Sequence, residues 1–278
     1  METMYLVIVA FLLCLAIFDL FVGVSNDAVN FLNSAIGAKV AKFRTVLIVA
    51  IGAVMSSGMM DVARHGIMQP SNFSFYDVMT IFLAVMVTDV IILDIFNTLG
   101  MPTSTTVSLV FELLGGTFIL AAIKIAGDPS LSFGDLLNTD KALSVIVAIF
   151  VSVAIAFVFG IVVQWLSRIV FTFNYRKHSR WSIAIFGGIA FTALSYFIFL
   201  KGLGKSPLIA ESTRMWIENN MTALIIYTFI GSTIVMEIIH LLKVNVFKFI
   251  VLMGTFALAM AFAGNDLVNF IGVPLAGL

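Results

Sequence analysis

Two short polar stretches interrupt otherwise apolar sequence, and they are nearly the same. Residues 24–31 read VSNDAVNF and residues 263–270 read AGNDLVNF. Five of eight positions are identical: Asn26/Asn265, Asp27/Asp266, Val29/Val268, Asn30/Asn269 and Phe31/Phe270. A carboxylate at membrane depth is costly, and where it occurs it usually serves function. Asp27 and Asp266 supply that charge, while the Asn amides offer both a donor and a carbonyl acceptor. Carboxylate, amide and freed backbone carbonyl oxygens together make a hard oxygen site suited to a small cation such as Na⁺. Asn26 and Asn30 lie four apart and share a face if the segment is helical. For one copy alone, a polar helix end that caps the next helix explains the residues equally well. Recurrence of the same pattern favours the functional reading.

A second polar group reads Pro102-Thr103-Ser104-Thr105-Thr106 and leads into an apolar run from Val107. Pro followed by hydroxyl residues and then a long apolar stretch is a helix-start signal. The free N–H groups and positive dipole end of such a helix attract anions, and hydroxyls add rotatable donors. A tetrahedral oxyanion fits there without an Arg. Ordinary capping by Ser104 or Thr105 accounts for the pattern with less, and by itself it is the better explanation.

The elements that must position these groups are membrane helices. Of 278 residues, 61% are hydrophobic and 11% charged, against about 45–50% and about 25% in soluble domains. Mean hydropathy is +1.14. Apolar runs fall at about 4–24, 46–60, 78–98, 103–123, 142–166, 182–200, 221–241 and 249–265. Continuous runs of this length predict helices, because barrel strands alternate with period two. The expected fold is therefore an all-α, polytopic transmembrane bundle of about eight segments. The 46–60 run is short and is expected to be buried among other helices. The 103–123 run either crosses or re-enters. If all eight cross, nine of the fifteen basic residues share one side, which favours an N-terminus outside. Trp165, Trp181 and Trp216 stand at segment ends, where amphipathic rings prefer the headgroup level. No basic residue precedes the first run, which argues against a signal peptide.

With eight crossings, seven separate the starts of the two motif-bearing segments, so the copies run in opposite directions. Inverted repeats of this kind build many transporters, with ligands bound near the midplane where helices break. The expected division is 1–125, a first repeat with its Asn-Asp motif and hydroxyl-capped helix; 126–248, further membrane segments; and 249–278, the start of a second repeat.

The motifs resemble those of the inorganic phosphate transporter (PiT) family of sodium- or proton-coupled phosphate symporters. The resemblance rests on Gly23-Val24-Ser25-Asn26-Asp27-Ala28-Val29-Asn30, on Pro102 to Thr106, and on Gly264-Asn265-Asp266-Leu267-Val268-Asn269 with Gly272, Pro274, Leu275 and Ala276 after it. It implies uptake of inorganic phosphate driven by Na⁺ or H⁺, with no other cofactor. It implies substrate binding by Asn26, Asp27, Ser104, Thr105, Thr106, Asn265 and Asp266. It implies coupling-ion ligation, Na⁺ included, by Asp27, Asn30, Asp266 and Asn269. The implied location is an integral one, in a bacterial inner (plasma) membrane.

Two departures qualify the match. The family often carries a Glu in its second helix; an ungapped reading puts Val54 there, and the 46–60 run has no acid. Asp89, Asp94 or Glu112 is the candidate to supply that charge instead. The second departure is length. Thr105 trails Asp27 by 78 positions, and the same spacing from Asp266 runs past Leu278. The expectation is an incomplete transporter, completed by a homodimer or by a missing C-terminal half.

Other classes fit less well. Sulfate and other oxyanions suit the same donors as phosphate. A channel needs a ring of oxygens, often from several subunits, and no ring-forming repeat is seen. An intramembrane aspartyl protease needs G-x-G-D, and Gly264-Asn265-Asp266 lacks the second Gly. His65, His178 and His240 are scattered, and Cys14 is the single cysteine, which excludes a zinc enzyme and a disulfide framework. A net charge of zero gives no support for a nucleic-acid partner. A non-transporting membrane fragment is the remaining alternative.

Overall fold

A computed structural model describes residues 2–56, 73–171, 180–198 and 210–265. Among them every regular element is a helix: α1 (Glu2–Gly37), α2 (Phe43–Ser56), α3 (Phe75–Thr98), α4 (Thr105–Gly127), α5 (Phe133–Leu136), α6 (Thr139–Phe171), α7 (Arg180–Phe197), α8 (Glu211–Asn219), α9 (Met221–Leu241) and α10 (Val246–Asn265). Six helices are long and apolar enough to cross a membrane, and Phe43–Gly52 and Trp181–Phe197 are shorter apolar helices. These eight coincide with the eight apolar runs. The short α8 lies between them, where the sequence showed no apolar run.

The first expected segment ended near residue 24, but α1 continues to Gly37. At about 1.5 Å per residue its 36 residues span roughly 54 Å, well beyond an apolar core of about 30 Å. The first Asn-Asp motif therefore sits inside an unbroken helix. It is neither a helix end in a loop nor a point where backbone carbonyls are freed. The break near the site comes from a different place, the α3–α4 turn.

That turn is built from its sequence. The N–H of Gly100 donates to Asn97 O at 3.0 Å and that of Met101 to Phe96 O at 2.9 Å, the paired bonds of a Schellman ending. Gly100 has φ +68°, a conformation that suits a residue without Cβ. Pro102 then prevents helix from resuming at once. Ser104 restarts it, its Oγ accepting the Val107 N–H at 3.3 Å.

The far ends of this hairpin are also fixed. Ser74 and Asp77 form a reciprocal capping box at the start of α3. Lys124, in the last turn of α4, reaches the same Asp77 at 2.7 Å and lies over the Phe73 ring. A cation suits the carbonyl end of α4.

The chain forms two compact units. Unit 1 takes residues 1–30, 61–155 and 265–278. Its core brings together Leu12 and Ala16 of α1, Met79, Val85 and Met86 of α3, and Leu109, Leu113 and Ala121 of α4. Unit 2 takes residues 31–60 and 156–264. In it α7 and α9 pack together, and Phe171, Ile183, Met236 and Val246 form a core cluster. The most apolar stretch of α6 buries nothing. A helix apolar on all sides and uncovered by protein is suited to lipid.

Candidate functional site

Asn26 of α1 is held by the α3–α4 turn on both sides of its amide. The backbone N–H of Thr103 donates to Asn26 Oδ1 at 2.8 Å. Asn26 Nδ2 donates to Asn97 Oδ1 at 3.0 Å, and a longer 3.5 Å contact reaches Met101 O. Asn97 in turn donates through Nδ2 to Val22 O at 2.8 Å. The two amides thus lock the end of α3 and the start of α4 against α1. Asn26 is 2% exposed, and a polar side chain that deep needs such partners to stay folded.

The neighbouring Asp27, 4% exposed, receives the hydroxyl of Thr105, 1% exposed, at 2.9 Å on Oδ2. Thr105 is the first residue of α4. The carboxylate therefore stands at the positive end of that helix dipole. Asn30, one turn on and exposed, makes a 3.5 Å contact from Nδ2 to Asp27 Oδ1. Asn26 and Asp27 thus both reach the α3–α4 turn and the start of α4, and Asn30 touches Asp27.

The hydroxyl cluster divides its work. Thr105 turns inward to Asp27. Ser104 is exposed and caps α4 as an acceptor, an acceptance that does not use its own hydroxyl hydrogen. Thr106 is half-buried. Ser104 thus caps the helix while Thr105 bonds to the motif carboxylate. Asn265 closes α10. Asp266 and Asn269 lie outside the described residues.

Asn97 and Asp19 escaped notice in the sequence because each sits in a run read as apolar. The signal for Asn97 was an amide in the last turn of a membrane helix, just before a Gly-Met-Pro turn. Asp19 precedes Asp27 by two turns of the same helix, a second acid on an apolar segment. Of the acids offered in place of the missing Glu, Asp89 is buried and Glu112 half-buried, whereas Asp94 is exposed.

The Asp27–Thr105 contact can be weighed directly. Thr105→Val keeps the shape and removes one donor from a buried carboxylate. It is expected to cost about 1–3 kcal/mol of stability, read as a lower thermal midpoint in detergent, while Thr105→Ser keeps most of it.

Comparison with known proteins bears on the family and the fold. The profile of the phosphate transporter family matches residues 23–278, a range that takes in the first motif, the hydroxyl cluster and the second motif. No curated protein matches the chain in sequence. In structure it is similar to a solved protein described as the sodium-dependent phosphate transporter, with TM-score 0.68 and 21% identity, over 96% of this chain and 67% of that one.

Proposed function

Because this chain belongs to the phosphate transporter family, we propose that it carries inorganic phosphate across a membrane by symport with Na⁺, using the Asp27–Thr105 pair at the start of α4 as half of its site. The observation that supports this reading is the buried Asp27 carboxylate beside the N-terminus of α4. That terminus attracts an oxyanion through its N–H groups and dipole. A phosphate there meets the negative charge of Asp27, and two anions in a low-dielectric pocket repel strongly. A small cation between them removes the repulsion and makes the binding of each depend on the other. Such mutual dependence is the thermodynamic basis of coupling.

The roles follow from position. Asp27 and Asn30 ligate the cation through oxygen. Ser104 and Thr106, with the α4 amides, donate to phosphate. Asn26 holds the turn that presents them. Asn265, Asp266 and Asn269 take the matching roles by repetition of the motif. Helical spans favour the inner over the outer membrane of a bacterium, since outer-membrane spans are closed barrels.

The test is uptake of labelled phosphate into proteoliposomes carrying the protein. Uptake is expected to rise with inward sodium, to fall when lithium or choline replaces it, and to resist excess sulfate. Uptake driven equally by a pH gradient without sodium would move the coupling to protons. Equal competition by sulfate would broaden the substrate to oxyanions in general.

A further inference from the structure

A second polar layer lies inside unit 1, two helical turns from the Asp27 layer. Asp19 precedes Asp27 by eight residues on α1, Asp89 precedes Asn97 by eight on α3, and Glu112 follows Thr105 by seven on α4. Each step is roughly 10–12 Å along its helix. The hairpin reverses α4 relative to α3, so all three steps lead the same way. The layer that holds Asn26, Asp27, Asn97 and Thr105 is thus matched by one that holds three acids.

These acids face one another. Asp19 is acted on by Asp89 and Glu112, and Asp89 by Ser108, Asp19 and Glu112. Glu112 is acted on by Asp89 and Ser108. No basic group is among those that act on them from α1, α3 or α4. Asp19 is 0% exposed and Asp89 1%. Both oxygens of Asp19, Oδ1 of Asp89 and Oε2 of Glu112 are buried with no hydrogen-bond partner. Ser108 donates to the other Glu112 oxygen at 2.8 Å.

We propose that Asp19, Asp89 and Glu112 form a proton-binding site in the interior of unit 1, distinct from the Asp27 layer. Ionised carboxylates only accept hydrogen bonds, so acceptor faces acceptor and the buried oxygens stay orphaned. Like charges sharing one buried site do not all ionise together. A proton taken up from water onto one carboxylate oxygen turns that group into an O–H donor. That proton leaves hydronium, breaking one of its O–H bonds and releasing water, and its uptake removes one negative charge; the new O–H then donates to a neighbouring carboxylate and satisfies an oxygen on each partner. The orphaned oxygens of Asp19, Asp89 and Glu112 are all acceptors, and a shared proton supplies the donor that they lack. Ser108, one turn from Thr105 and bonded to Glu112, lies between the two layers.

The test is infrared titration of the reconstituted protein, followed by the C=O stretch of protonated carboxylic acid. It uses no phosphate, so its result stands apart from the transport reading. A buried carboxylic-acid band that titrates reversibly is expected in the native protein and is lost in Asp19→Asn. Glu112→Gln is expected to shift the midpoint of the remaining band by more than about one pH unit, the mark of a coupled pair. Asp94→Asn, at an exposed position, leaves band and midpoint unchanged. Asp89→Asn serves the same purpose as Asp19→Asn if the latter does not fold. A band unaffected by Asp19→Asn and Asp89→Asn overturns the proposal. So does a midpoint that Glu112→Gln leaves in place, or a band that sodium abolishes at constant pH.

Discussion

Asp27→Asn is expected to lower phosphate uptake at sub-saturating sodium by roughly 10- to 100-fold while leaving the protein folded. The Asn carbonyl still accepts the Thr105 hydroxyl that Asp27 Oδ2 accepts at 2.9 Å, so the α1–α4 contact survives. What disappears is the negative charge proposed to draw the cation. Interactions with a charged partner contribute about 1.5–3 kcal/mol, and about 1.4 kcal/mol is tenfold in an equilibrium constant. The loss is expected as a weaker apparent sodium affinity, so high sodium restores part of the rate. Initial rates across a sodium series, beside a thermal midpoint, separate this from unfolding. Asn26→Ala makes the contrast. It strips the acceptor from Thr103 N–H and the donor from Asn97, and should lower stability and transport together. Unchanged sodium dependence in Asp27→Asn would remove Asp27 from the ion site.

Legibility of the sequence differed by level. The membrane helices announced themselves, because a run of apolar residues long enough to span must satisfy its own backbone. The α3–α4 turn and the Ser104 cap were also readable, since Gly, Pro and hydroxyl residues have fixed local meanings. The extent of α1 was not. Local polarity at Ser25, Asn26 and Asp27 suggested an end, yet the helix continues to Gly37. The side chains of Asn26 and Asp27 take their partners from residues 71 to 78 positions away. Tertiary contacts supply what the local sequence lacks, and the backbone has no reason to unwind.

The same cause hid the acid layer. Asp19, Asp89 and Glu112 are single acids in three separate apolar runs; Asp89 and Glu112 read only as separate candidates for one missing charge, and nothing local sets Asp19 beside them. Their meeting depends on the register of three helices. That register is set by the Asn26–Asn97 clamp, the hairpin turn and the Asp77–Lys124 pair. The two layers belong to one construction: the clamp that presents Asp27 to the start of α4 also brings the three acids together two turns away.

The largest stability effect is expected in unit 2, at Gly188. There α7 meets α9 with almost no space between them. A Cβ placed on Gly188 collides with the Thr233 side chain and comes within 3.1 Å of the Thr233 Cα. Backbone does not yield as a flexible side-chain tip does. The adjacent Gly187 is also closed in, though by side chains alone, with Met236 Cγ at 2.9 Å and Val246 Cγ1 at 3.0 Å from its Cβ position. Small residues let membrane helices approach in this way, where packing and interhelical hydrogen bonds replace the hydrophobic drive. The approach also places Gly188 O within reach of the Ser232 hydroxyl at 3.2 Å, while Thr192 of α7 itself donates to the same carbonyl at 2.7 Å. Gly188→Val must therefore push the helices apart. Overpacking costs about 1–3 kcal/mol, and loss of the interhelical Ser232 bond adds about 0.5–1.5 kcal/mol. Relief of the glycine's poor helix propensity offsets less than about 1 kcal/mol. The net expectation is a loss of about 1–4 kcal/mol, read as a lower unfolding midpoint in detergent or lipid. Gly231→Ala, on α9 with nothing within 4 Å of its Cβ position, should leave that midpoint unchanged or slightly raised. A Gly188→Val protein as stable as the native one would mean that α7 and α9 do not pack this closely in the membrane.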